Sequence, residues 1–130
     1  MIQQFIELGQ GYGDVYELCE LIQTNKHRFH QAFIFTSTNE QGVKKASLAI
    51  AFKPVGESKF MPIYICREGI NYDEDHQSKR IVLFEQAVEA LERKAVVVET
   101  KHSSNFTETF LFYQYLIGII RMNGYVPPMH

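Results

Sequence analysis

Gln31-Ala32-Phe33-Ile34-Phe35-Thr36-Ser37-Thr38, the tetrapeptide Asn39-Glu40-Gln41-Gly42, and Lys44-Lys45-Ala46-Ser47-Leu48-Ala49-Ile50-Ala51-Phe52 form the stretch on which the fold turns. The first segment is aromatic and β-branched, which suits a strand. The tetrapeptide is a turn. The last segment alternates, with Ala46, Leu48, Ile50 and Phe52 on one face and Ser47, Ala49 and Ala51 on the other. Both faces are compatible with cover, because the small residues leave room for a helix. Pro54 to Ser58 is a second turn, and Phe60 to Cys66 reads as a third strand. Three strands joined by short turns make an antiparallel meander.

Working outward, Met1 to Leu8 alternates in part and predicts a short strand, broken by Gly9-Gln10-Gly11-Tyr12-Gly13. Asp14 then opens a helix, with Glu17 three residues on as a capping-box partner. Val15, Leu18, Leu21 and Ile22 share one helical face. Lys26, His27 and Arg28 stand at its C-terminal end, where the helix dipole favours cations. On the other side, Gly69 to Gln77 is acidic and reads as an exposed loop. Ser78 is the N-cap of a second helix, whose stripe of Ile81, Phe84, Val88 and Leu91 runs to about Arg93. Ala95 to Thr100 holds Val96-Val97-Val98, a run typical of a strand covered on both faces. Asn105 caps a last helix, with Glu108 at the capping-box position. That helix stops at Asn123-Gly124, ahead of Pro127-Pro128.

The order is β-α-β-β-β-α-β-α. Three consecutive strands argue against a regular parallel Rossmann sheet. They predict an α/β fold tending to α+β, a mixed, largely antiparallel sheet of about five strands with three helices. The 130 residues carry no repeat and no linker, so residues 1–130 are one domain.

Composition narrows the function classes. The net charge is −2 and the pI about 6.2, which gives no global attraction to nucleic acid or anionic lipid. Basic clusters are short and lie at element ends. Cys19 and Cys66 lack metal or redox spacing and read as reduced, buried small hydrophobes. The N-terminus has no secretory pattern. The longest apolar run, Phe110 to Met122, is 13 residues and contains Gln114 and Arg121, whereas a membrane span needs about 20. The expectation is a cytoplasmic protein with no membrane or nucleic-acid partner.

The last helix is apolar over almost its whole circumference. Such a helix must be buried all round. Either it is a central core helix covered also by the tail from Tyr125, or a second copy of the chain covers it. We expect self-association through Phe110, Phe112, Tyr113, Leu116, Ile117 and Ile120.

Two strings look like chemistry. Glu7-Leu8-Gly9-Gln10-Gly11-Tyr12-Gly13-Asp14 resembles the first motif of S-adenosylmethionine-dependent methyltransferases. That resemblance implies ligand binding at Gly9, Gly11 and Gly13, where glycines let a ligand approach backbone. The following hairpin departs from that family, and a tight glycine turn feeding a helix is the simpler reading. Glu99-Thr100-Lys101 resembles the half-motif of the PD-(D/E)xK nucleases, and the α-β-β-β-α-β order from Asp14 is similar to their core. That resemblance implies a metal-dependent site of Glu99 and Lys101, with Glu57 as a further acid. It departs from the family in that Glu99 falls on the fourth core strand and the second strand lacks an aspartate. A catalytically inactive relative of that fold is the milder form.

The five histidines are scattered and read as surface groups. Asp73-Glu74-Asp75 lacks the pattern of a calcium loop and reads as solvated. Ser103 and Ser104 follow His102, but adjacency alone does not make a nucleophile and a base. As a whole the chain resembles short bacterial proteins of the Bacillus type with a Gly-rich start and a Tyr-x-Pro-Pro-Met end, a resemblance that implies a cytoplasmic protein of unknown function and assigns no site. The leading expectation is a non-catalytic binding or interaction protein, homodimeric, with no cofactor and no metal. The alternatives are the nuclease-like enzyme and a nucleotide or cofactor binder at the Gly-rich loop.

Overall fold

The computed structural model describes residues 2–9 and 12–128. Its elements are β1 (Ile2–Gly9), α1 (Tyr12–Thr24), β2 (Phe29–Thr38), β3 (Lys44–Phe52), β4 (Phe60–Asn71), α2 (Lys79–Glu89), β5 (Val96–Glu99) and α3 (Thr109–Met122). Short 3₁₀ turns cover Lys26–Arg28 and Ser103–Asn105. The order of strands and helices is the one the sequence predicts.

The five strands form one sheet in the order β1-β4-β3-β2-β5. β2, β3 and β4 are the antiparallel meander. β1 and β5 are added at the two edges, each parallel to its neighbour. Parallel and antiparallel pairings are therefore equal in number, and β3 alone runs against the rest.

The alternation of β3 splits the core into two. Leu48 and Ile50 meet Val15, Leu18 and Ile22 of α1 and Ile81, Phe84 and Val88 of α2. Ala49 and Ala51, on the opposite face, lie in a second core with Phe33, Phe35, Ile63 and Ile65 under Phe112, Leu116 and Ile120 of α3. The result is a three-layer sandwich with two helices on one face and one on the other. The alanines let α3 lie close on the sheet.

Local chemistry explains where elements begin and end, and where the reading needs correcting. Residues 2–9 do join the sheet. Gln3 is buried there, and its amide is satisfied by donating to Pro127 O at 3.0 Å and by accepting from Arg121 Nε at 2.7 Å. α1 starts two residues before Asp14, so Asp14 lies inside its first turn. Ser78 caps α2 as expected, its hydroxyl accepting from Arg80 N at 3.2 Å. α2 ends at Glu89, short of Arg93, in a turn closed by Glu92 at φ 59. β4 continues five residues beyond Cys66, so Gly69 to Asn71 is strand, not loop. β5 is an edge strand whose Val97 is 55 % exposed, so the valine run is covered on one side only. Asn105 does not cap α3. It belongs to the 3₁₀ turn, where its amide donates to His102 O, and α3 begins four residues later. The stop is as predicted: Gly124 takes φ 73, and Tyr125 N donates to Ile120 O at 2.9 Å.

Among the described residues, no helix is long and apolar enough to cross a membrane.

Candidate functional site

The polar focus of the molecule lies where β4 loses register with β3. Leu48 pairs with Cys66 and Ala46 with Ile70, so the single residue Ser47 faces Arg67, Glu68 and Gly69. A bulge of this kind bends the strand and re-aims a side chain. Glu68 sits in it at φ 45, a left-handed conformation that costs a non-glycine residue roughly 1 kcal/mol or more. Its own N–H is held by Ser47 Oγ at 2.8 Å. Ser47 is itself buried.

The bulge turns the Glu68 side chain inward, where only 5 % of it is exposed. A buried carboxylate is expensive unless donors surround it. Four do. Ser37 Oγ donates to Oε2 at 3.2 Å, Ser103 N donates to Oε2 at 2.8 Å, and Ser103 Oγ donates to Oε1. The fourth partner is His102, whose Nε2 lies 3.2 Å from Oε2. These donors come from β2 and from the segment after β5, so the carboxylate ties that segment to the sheet.

His102 is oriented from both ends. Its Nδ1 accepts from Ser104 N at 3.1 Å and lies 2.9 Å from Ser104 Oγ. A backbone N–H can only donate, so Nδ1 carries the lone pair and Nε2 carries the proton that points at Glu68. Ser104 is exposed to solvent. The array therefore runs from a buried carboxylate, through an oriented imidazole, to an exposed hydroxyl.

A second polar group stands at the same end of β1 and β4. Glu7 accepts from Tyr113 Oη and lies 3.5 Å from Arg67 Nε. Arg67 Nη1 reaches Thr109 Oγ1 at 3.2 Å. Tyr113 stacks on Phe5 with centroids 4.8 Å apart. Burial, followed by the Glu7 bond, pushes the Tyr113 hydroxyl well above the usual tyrosine range. These contacts pin the first turns of α3 to the sheet.

The residues singled out from the sequence are dispersed. Glu57 is exposed in the turn before β4, and Glu99 is exposed at the end of β5. Through the pairings Glu99–Thr36, Thr36–Ala46 and Ala46–Ile70, Glu99 is level with Ile70, ten residues along β4 from Phe60. The two acids thus stand about 30 Å apart along the strands. Lys101 is exposed, and its backbone N–H donates to Tyr115 Oη at 3.0 Å. Among the described residues, no three His, Cys, Asp or Glu side chains are grouped to hold a metal. Gly9 ends β1 opposite Cys66 and Gly13 lies in α1, while Gly11 falls outside the described residues.

Of the six α3 residues expected at a self-association surface, Phe112, Leu116 and Ile120 are buried under the helix's own sheet. Tyr113 and Ile117 are half-buried against the same core, and only Phe110 is fully outward. The outward residues are Thr109, Phe110, Leu111, Gln114 and Met122.

Glu68, His102, Ser103, Ser37 and Ser47 escape the sequence reading as a group. The one local signal was Glu68-Gly69, a charge and a glycine interrupting an apolar strand, which is the mark of a bulge. Cys66, beside it, is no activated thiol. Burial first, then the nearby charges of Asp14, Cys19 and Glu17, push it up to about 12.

The chain belongs to DUF7147. This family is described as a domain of unknown function, and it matches residues 1–126. No curated protein and no solved structure matches the chain.

Proposed function

We propose that this DUF7147 domain is an interaction module that pairs with a second copy of itself through the outward face of α3. One observation carries the reading: the exposed residues of α3 include no charge. α1 turns Glu17, Glu20 and Gln23 to solvent, and α2 turns Lys79, Gln86 and Glu89. α3 instead presents Phe110 at 53 %, Leu111 at 36 % and Met122 at 88 % exposure. The cation on this helix, Arg121, donates to Gln3 Oε1 and is spent inside the subunit.

Gly118 supports the same reading. A Cβ built there meets nothing within 4 Å, so the subunit does not require a glycine. Glycine inside a helix costs about 1 kcal/mol relative to alanine. Close approach of another backbone accounts for it.

A second copy fits better than a different protein, because the stripe offers no charge pattern by which to select one. The stripe is also self-complementary about a two-fold axis. Antiparallel pairing that sets Phe110 against the partner's Met122 also sets Gln114 over the partner's Gly118. The contact is about 18 Å long.

Sedimentation equilibrium tests the proposal. The full chain is expected as a dimer, and Gly118→Glu as a folded monomer with unchanged circular dichroism. A wild-type chain that stays monomeric across the accessible concentration range contradicts it.

A further inference from the structure

We propose that Ser104 is an acyl-accepting nucleophile, activated by His102 and Glu68, and that the site acts on carboxylic esters. The inference goes beyond self-association and does not depend on it.

The geometry is that of an activated hydroxyl: nucleophile and base within hydrogen-bond reach, and the base oriented by a third group. Ser104 Oγ is 2.9 Å from His102 Nδ1, and His102 Nε2 is 3.2 Å from Glu68. Because the Ser104 N–H fixes Nδ1 as the lone-pair nitrogen, the imidazole is in the tautomer that can take the hydroxyl proton. Glu68, held by Ser37 and Ser103, then faces an imidazolium instead of a neutral ring. Capping a three-residue turn requires only an acceptor such as serine or aspartate. It does not require a histidine backed by a buried carboxylate in left-handed backbone.

The reaction balances with water as co-reactant. Ser104 Oγ attacks the ester carbonyl carbon as its proton passes to His102 Nδ1, and the carbonyl π pair moves onto oxygen. The oxyanion collapses, the ester C–O bond breaks, and the leaving alkoxide takes the proton from His102. Water then attacks the acyl-serine by the same path, releasing the acid and restoring the hydroxyl. Ser104 is exposed, so the acyl donor comes from solvent.

The full chain is incubated with 4-nitrophenyl acetate, with nitrophenolate release followed by absorbance and the acyl adduct located by peptide mass mapping. The adduct is expected on Ser104, and Ser104→Ala, whose parent side chain is exposed, is expected to fold normally and lose both adduct and release above background. His102→Ala should slow release about 100-fold. An adduct confined to other residues, or release unchanged in Ser104→Ala, overturns the proposal.

Discussion

Glu68 concentrates most of the molecule's unusual chemistry in one residue. Its strained φ and its four donors depend on each other: the bulge aims the carboxylate inward, and the donors hold the bulge. Replacing one carboxylate oxygen by an amide nitrogen puts a donor against donors. Glu68→Gln should therefore cost about 2 kcal/mol, read from urea unfolding. The thiol of Cys66 gives a second test at this scale. Burial raises it from 9.0 to about 12, so the native state holds that proton more tightly than the unfolded chain does. Between about pH 9 and 12, unfolding releases a proton, and stability must fall as pH rises. Tyr113, raised chiefly by burial, acts in the same direction. Urea midpoints at pH 8 and 10.5 should show the fall, and a smaller one in Cys66→Ala. The burial of Cys66 was legible in the sequence and Glu68-Gly69 hinted at a bulge, but the cluster was not, because Ser37, Ser47, Glu68 and His102 come from four segments joined only by folding.

At the level of elements, the meander was legible because each strand carries its own alternation and each turn its own residues. The edges were not. Val96-Val97-Val98 reads as a fully covered strand, yet its place beside β2 leaves Val97 in water, and place in a sheet is a long-range property. Asn105 and Glu108 satisfy a capping pattern, but the His102 ring takes the capping role in a 3₁₀ turn and delays α3. Gly118 yields the prediction for this scale. In the isolated subunit Gly118→Ala should stabilise α3 by about 1 kcal/mol, since the new methyl meets nothing. In a dimer with close helices the same methyl should weaken association. Unfolding at low concentration and sedimentation at high concentration separate the two effects, which should have opposite signs.

For the whole molecule, the apolar circumference of α3 has two explanations at once. Most of it covers the second core or packs against it, which is why Phe112, Leu116 and Ile120 belong to the subunit. The rest, Phe110, Leu111 and Met122, is the outward stripe, which the subunit leaves to water. The sequence posed them as alternatives, a core helix or a helix covered by a second copy, since an all-round apolar helix is not easily satisfied by one sheet face. Which residues fell on which side had to come from the fold. The measurement that bears most directly on the pairing is cross-linking of Gly118→Cys by a short-armed bis-maleimide, which spans the one-turn offset that the antiparallel register leaves between the two introduced thiols, with Gln23→Cys on α1 as the comparison. Cys66 is buried and Cys19 half-buried, and burial raises both thiols, so Cys19→Ser is included in both variants and the introduced cysteine is the reactive one. Pairing through α3 predicts a cross-linked dimer at position 118 and monomer at position 23. Monomer at both positions, or equal cross-linking at both, would contradict the account.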